Sequence, residues 1–177
     1  HDPFLLSDMD RAVERVLTAI KNSERIAVYA DFDCDGIPAA VVMHDFFKKV
    51  MHENFEIYIP HRHNEGYGFH KKAVGELAKR GVALIITVDV GITAFETASF
   101  ARSLGIDVII TDHHELKNGT LPDAIAIVNP KRDPYPFKEL CGTAVAYKLV
   151  QAIITRGREQ GLATFTDIPV GWEKWLL

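Results

Sequence analysis

The chain has 177 residues, 47% of them hydrophobic and 25% charged, with a formal net charge of −4. That length and composition suit one folded domain with a full core and exclude extended disorder. The negative balance excludes a basic nucleic-acid-coating module, but not a nuclease, whose metal-binding carboxylates add charge that bound cations offset.

Met9, Ala12, Val13, Val16, Leu17 and Ile20 recur at helical spacing over residues 8 to 21, after Ser7 and Asp8 as caps. Residues 25 to 30 read as a buried strand. Residues 37 to 51 read as a helix with Val41, Val42, Phe46 and Val50 inward and Pro38 in its first turn. Phe55, Ile57 and Ile59 alternate as a half-buried strand does, and a polar loop with His61, Arg62, Asn64 and Gly66-Tyr67-Gly68 follows. A helix over 70 to 80 ends at Gly81, a strand covers 83 to 88, and a helix over 93 to 104 ends at Gly105. Strands at 107 to 111 and 124 to 128 precede a proline-rich loop, Asn129 to Leu140, and a helix from Gly142 to Arg156. The tail from Phe165 to Leu177 holds both tryptophans and a short helix.

Strands that alternate with helices of this length predict an α/β fold, with a mainly parallel sheet covered on both faces. No apolar run reaches the roughly 18 residues that a membrane span needs. The start, His1-Asp2-Pro3-Phe4, has no signal-peptide character and no initiator Met, so a trimmed chain is expected. Cys34 and Cys141 lie far apart without CxxC spacing. That argues against a disulfide framework or structural zinc and for a reducing, cytoplasmic setting.

In such sheets, ligands bind beyond the carboxyl ends of the strands. Three strands here end in potential metal ligands: Asp31-Phe32-Asp33-Cys34-Asp35-Gly36, then Asp89, then Thr111-Asp112-His113-His114. Asp31 and Asp33, two apart, share a face if that segment is extended, and paired carboxylates suit a hard cation such as Mg²⁺ or Mn²⁺. Each motif also has a plainer reading. Asp35 and Asp89 could cap the helices at 37 and 93, and His113-His114 could be a solvated pair. The conjunction at three strand ends outweighs these and outlines a dinuclear centre for phosphoester hydrolysis, with Asp112 orienting an imidazole. The loop from Pro60 to Gly68, with His61, Arg62 and Tyr67, has groups that bind phosphate or stack on a base. The helix start at Cys141-Gly142-Thr143 offers free N–H groups to a phosphate, or is simply closely packed. There is no GxxxxGK[ST], GxGxxG or GxSxG sequence.

With these residues the sequence resembles the DHH phosphoesterase superfamily, and within it the RecJ-type single-strand-specific exonucleases. The resemblance runs from His1-Asp2-Pro3-Phe4-Leu5-Leu6 through the Asp31 motif, Pro60-His61-Arg62, Glu65-Gly66-Tyr67-Gly68 and Val88-Asp89. It continues through Thr111-Asp112-His113-His114, Asn129-Pro130, Pro136-Phe137 and Leu140-Cys141-Gly142. It implies Asp31, Asp33, Asp89 and His113 as ligands of two Mn²⁺ or Mg²⁺ ions, with Asp89 bridging. It implies His114 as the phosphate contact or proton donor, and Asp112 and Asp35 as supporting residues. The implied reaction shortens single-stranded DNA from its 5′ end by in-line attack of a metal-activated water. RNA as substrate and replication or repair partners stay open. Ala27 stands where the pyrophosphatase and small-oligonucleotide branches usually carry a ligand His, which favours the exonuclease branch. Ala30, Val90 and Thr143-Ala144 depart from the usual residues without touching a ligand. The resemblance also implies a further metal-binding Asp beyond Leu177 and a DHH-associated nucleic-acid-gripping domain. The chain is thus expected to be a DHH catalytic core cut at its C-terminal end, with Asp167 or Asp133 as weaker candidates for the missing ligand. Two alternatives are a DHH enzyme acting on short oligonucleotides or nucleotide phosphates, and a non-catalytic DHH scaffold.

Overall fold

A computed structural model describes residues 1–117, 119–132 and 135–176. The elements are α1 (Met9–Lys21), β1 (Arg25–Ala30), α2 (Gly36–Lys49), β2 (Phe55–Tyr58), α3 (Lys71–Lys79), β3 (Val82–Val88), α4 (Phe95–Ser103), β4 (Asp107–Thr111), β5 (Ala126–Val128), α5 (Gly142–Glu159) and α6 (Ala163–Thr166). Short 3₁₀ turns lie at Pro3–Leu5 and Trp172–Leu176. The strands form one five-stranded sheet in the order β2-β1-β3-β4-β5, and every pairing is parallel.

The period-two pattern of the strands builds two cores. Ile26, Val28 and Ala30 of β1, with Leu84 and Ile86 of β3, face α1, α2 and α5. Ala27 and Tyr29, with Ile85 and Ile110, face α3 and α4. Both sheet faces are therefore covered, and β1, β3 and β4 are almost wholly apolar because neither face meets water. From β1 the chain passes through α2 to β2, then returns through α3 to β3 on the other side of β1. The strand order thus reverses between β1 and β3, where open α/β sheets form their binding crevice.

Several elements differ from the sequence expectation. Val41 is 52% exposed, because the inward stripe of α2 is Ala39, Ala40, Val42, Met43, Phe46 and Phe47. The helix expected from residue 93 begins at Phe95, since Ala94 N–H is taken by Gly91 C=O in a turn. The last strand begins at Ala126, and α5 runs on to Glu159. Asp8 sits at the start of α1 with φ 58° and makes no capping bond. Its carboxylate instead accepts from Ile127 N–H and Arg132.

Candidate metal centre

Parallel register sets the site. Ala30 pairs with Val88, Val88 with Thr111, and Thr111 with Val128. The next residue on each strand is therefore level with its neighbours, and the backbone bonds continue one step further. Asp31 N–H donates to Val88 C=O (3.4 Å), Asp89 N–H to Thr111 C=O (2.9 Å), and Asp112 N–H to Val128 C=O (3.1 Å). Asp31, Asp89, Asp112 and Asn129 thus form a polar row over four adjacent strand ends, and all four are buried.

The Asp31–Gly36 segment is a tight turn, so Asp31 and Asp33 do not share a face by strand alternation. Asp31 is buried and Asp33 exposed, and their carboxylates meet because the chain folds back. Asp33 Oδ1 accepts from the N–H groups of Asp35 and Gly36, both at 2.9 Å. Asp33 thereby ties down the start of α2, and Asp35, whose plainer reading is a cap, makes no side-chain capping bond. A Cβ on Gly36 would fall 2.7 Å from the Asp31 carbonyl carbon, so only glycine lets the turn close this tightly. Burial raises the Asp33 carboxyl, but the two backbone donors outweigh it and the net direction is down. Asp31 goes up through burial, with the anions of Asp33 and Asp112 adding to it.

Asp89 is 1% exposed and has φ 62°, a left-handed conformation that is strained for a non-glycine residue. It caps no helix. Neither of its carboxylate oxygens has a hydrogen-bond partner among the described residues. His113 Nε2 lies 3.1 Å from Oδ1, an ion pair only when that ring is protonated. Burial, followed by the repulsion of Asp33 and Asp35, pushes the Asp89 pKa up to about 8. A buried acid without donors and flanked by acids needs a proton or a cation. Asp31, Asp33 and Asp89 each offer an oxygen within 4.8 Å of the others, and Asp89, His113 and His114 form a second such group. Asp89 belongs to both, so the donor set fits hard or borderline divalent cations.

Asp112 spends its carboxylate on its neighbours. Oδ1 accepts from the His113 and His114 N–H groups (2.7 and 3.1 Å) and pairs with His114 Nδ1 at 2.7 Å. Oδ2 accepts from Ile92 N–H at 2.8 Å. Burial pushes Asp112 up, but the His114 and backbone bonds outweigh it and hold its carboxyl below the usual range. The same bond raises His114 against the opposing effect of burial. With Nδ1 engaged by Asp112, the His114 ring offers Nε2 outward.

The DHH family, N-terminal domain, matches residues 25–168, a span holding every residue of both metal-capable groups. The chain belongs to the DHH family. It is 46% identical over 156 residues to the single-stranded-DNA-specific exonuclease RecJ of Bacillus subtilis (strain 168), covering 87% of this chain and 20% of that protein. It is 41% identical over 158 residues to the Escherichia coli (strain K12) protein of the same name, covering 88% of this chain and 27% of that protein. A crystal structure of exonuclease RecJ bound to manganese superposes with a TM-score of 0.79 at 28% identity, covering 97% of this chain and 46% of that one. The chain therefore spans only about a quarter of the length of these curated relatives.

Around the DHH centre, the structure brings some expected residues close and leaves others outside. Tyr67 is 57% exposed, with its ring 6.2 Å from that of His114. Burial of its hydroxyl end and the surrounding aspartates push its pKa to about 12. The Arg62 guanidinium lies 5.4 Å from the centre of the Phe32 ring, between Asp31 and Asp33 in sequence. His61 is exposed, and its N–H donates to Glu65 rather than outward. Gly142 opens α5 against Asp89: a Cβ there would lie 2.6 Å from Asp89 Cβ and closer still to its carboxylate. That contact fits the close-packed reading of this glycine. Asp35 lies at the rim, its Oδ2 3.9 Å from His113 Nε2, and Thr143 Oγ1 donates to its carbonyl at 2.8 Å. Asp167 is exposed at the end of α6 and joins neither metal-capable group. Asp133 lies outside the described residues.

Sequence reasoning gave Asn129 no role, although its place after a buried strand is the same signal that marked Asp89 and Asp112. Its side chain donates to the His114 carbonyl at 3.0 Å and accepts from Lys131 N–H at 2.8 Å. It therefore pins the Asp112-His113-His114 segment from the β5 side.

Proposed function

We propose that this chain is the catalytic core of a divalent-metal-dependent exonuclease that shortens single-stranded DNA from its 5′ end. One observation carries the reading. Asp89 is buried, neither of its carboxylate oxygens is hydrogen-bonded among the described residues, and it is grouped with Asp31, Asp33 and His113, so its ionised form needs cations beside it. The names of the relatives supply the polymer and its strandedness.

Asp31, Asp33, Asp89 and His113 would hold two Mn²⁺ or Mg²⁺ ions, with Asp89 shared. Bound there, the ions supply activation of the attacking water and neutralise charge developing at phosphorus. The chain's own residues do the rest. Asp112 fixes His114 through Nδ1 and raises its pKa, so that a protonated Nε2 can donate to a phosphate oxygen or the leaving oxygen. Asp35 and Thr143 brace the Asp31–Gly36 turn against the start of α5. Arg62 offers a charged fork to a backbone phosphate, His61 lines the same loop, and Tyr67 gives an exposed ring for a base to stack on. Gly142 lets α5 approach closely enough to back Asp89. No helix among the described residues is long and apolar enough to cross a membrane.

Asp89→Ala in the full natural protein tests the assignment. Mn²⁺-dependent digestion of a long single strand should fall by at least about a thousandfold, with the circular dichroism spectrum unchanged. Retention of wild-type turnover would sink it. Turnover of long strands should also exceed that of dinucleotides, and the opposite preference would point to a small-substrate enzyme.

A further inference from the structure

The loop that carries Arg62 and Tyr67 is not held by packing alone. Two tyrosines standing side by side on β1 and β2, with rings stacked at 5.2 Å, reach up to it with their hydroxyls. Tyr58 donates to Glu65 Oε1 at 2.6 Å, and Tyr29 donates to the Gly68 carbonyl at 2.9 Å. Glu65 uses its second oxygen to accept from His61 N–H at 2.8 Å, while its own N–H donates to the His61 carbonyl at 2.8 Å. The carboxylate therefore closes residues 61 to 65 into a ring and fixes that ring to β2. Arg62 lies inside the ring, and Tyr67 lies between the two tyrosine anchors. His70 adds a third tie, with Nε2 3.3 Å from the Gly66 carbonyl.

Each of these bonds is made to a backbone group or to Glu65, and none to Arg62 or Tyr67. Among the described residues, Arg62 and Tyr67 keep only ring contacts, Arg62 over Phe32 and Tyr67 beside His114, and the chain beneath them is tied by hydrogen bonds. That is the form of a preorganised binding wall, in which ordering is completed before the ligand arrives. We infer that Glu65, anchored by Tyr58, is a positioning residue for substrate: it holds Arg62 where a strand's backbone phosphate meets it, and acts on binding through Arg62. This inference rests on the proposed role of Arg62 in gripping the strand.

Bonds of this charge-assisted kind are the stronger ones in proteins, so their loss should show in the competent fraction of the loop. In the full natural protein, Glu65→Ala should raise KM for a single-stranded oligodeoxynucleotide about tenfold. Its kcat should stay within about twofold, because the metal centre is untouched. Tyr58→Phe keeps the stack on Tyr29 and removes only the hydroxyl, so it should raise KM in the same direction even if Glu65→Ala folds poorly. The deciding measurement is Glu65→Ala placed on an Arg62→Ala background. A residue that acts through Arg62 adds nothing further there. An unchanged KM in Tyr58→Phe and Glu65→Ala would overturn the inference, as would an equal penalty in both backgrounds. If Arg62→Ala alone leaves KM unchanged, the phosphate-gripping role of Arg62 itself fails, and that result is distinguishable from the other two.

Discussion

Consider Asp89→Asn in the 177-residue chain without metal. Asp89 is buried with no donor to either oxygen, and its pKa rises from 3.8 to about 8. A carboxyl whose folded pKa lies above its unfolded value stabilises the fold fully below the unfolded value. It loses that contribution as pH climbs toward the folded value. Between 3.8 and neutral pH there are about three pH units, each worth about 1.4 kcal/mol, so this group contributes about 4 kcal/mol of pH-dependent destabilisation at pH 7. Asparagine has nearly the same shape and no charge, so it escapes this cost. Its amide still lacks partners, which costs a constant 1–3 kcal/mol or about that at every pH. The informative quantity is therefore how the difference between the two proteins changes with pH. In EDTA, the Asn variant should gain on the wild type by about 4 kcal/mol between pH 4 and pH 7.5. That is roughly 8–16 °C in relative Tm for a chain of this size. Calorimetric melts at several pH values measure it. Mn²⁺ should raise the wild-type Tm in proportion to the logarithm of its concentration and leave the variant's almost unmoved. A Tm difference that does not vary with pH, or a variant that keeps the full Mn²⁺ response, would refute the picture of Asp89 as a buried acid that ionises with cations beside it.

Other substitutions probe the same construction. Gly142→Ala drives a methyl into Asp89 and should destabilise the chain by about 1–3 kcal/mol while abolishing the Mn²⁺-induced rise in Tm. Asp112→Asn removes the charge that raises His114. Because a raised imidazole pKa keeps its proton to higher pH, the alkaline limb of the activity profile should move to lower pH, as initial rates across a pH series would show. Met51 is 70% exposed at φ 57°, past the end of α2 and away from the metal centre. Met51→Gly should relieve that left-handed strain and stabilise by about 0.5–1 kcal/mol in denaturant melts, with activity unchanged.

Much of this protein is legible along the chain. The apolar runs of β1, β3 and β4 and the helical stripe of α1 are read from hydrophobic pattern, because both sheet faces are covered and nearly every strand residue is apolar. The candidate ligands are visible for a related reason: a polar side chain directly after such a run sits at a strand end. The sequence was weaker where local geometry competes. The Asp31/Asp33 spacing puts the pair on one face only in an extended segment, whereas the turn that closes on Gly36 brings the two carboxylates together and gives the capping work to Asp33. Val41 counts as apolar in any periodic reading, yet it lies on the outer face of α2.

What the sequence determined by itself was the chemistry available: which strand ends carry acids and imidazoles, and that the strands run parallel. What only the tertiary structure decided was their alignment. The strand order and the register of β1, β3, β4 and β5 put Asp31, Asp89, Asp112 and Asn129 in one row, and α5 then closes on Asp89 through Gly142. Residues 31 and 142 are neighbours of Asp89 through hydrogen-bonded strand pairing and close helix packing, interactions between distant segments that no local pattern of residues encodes.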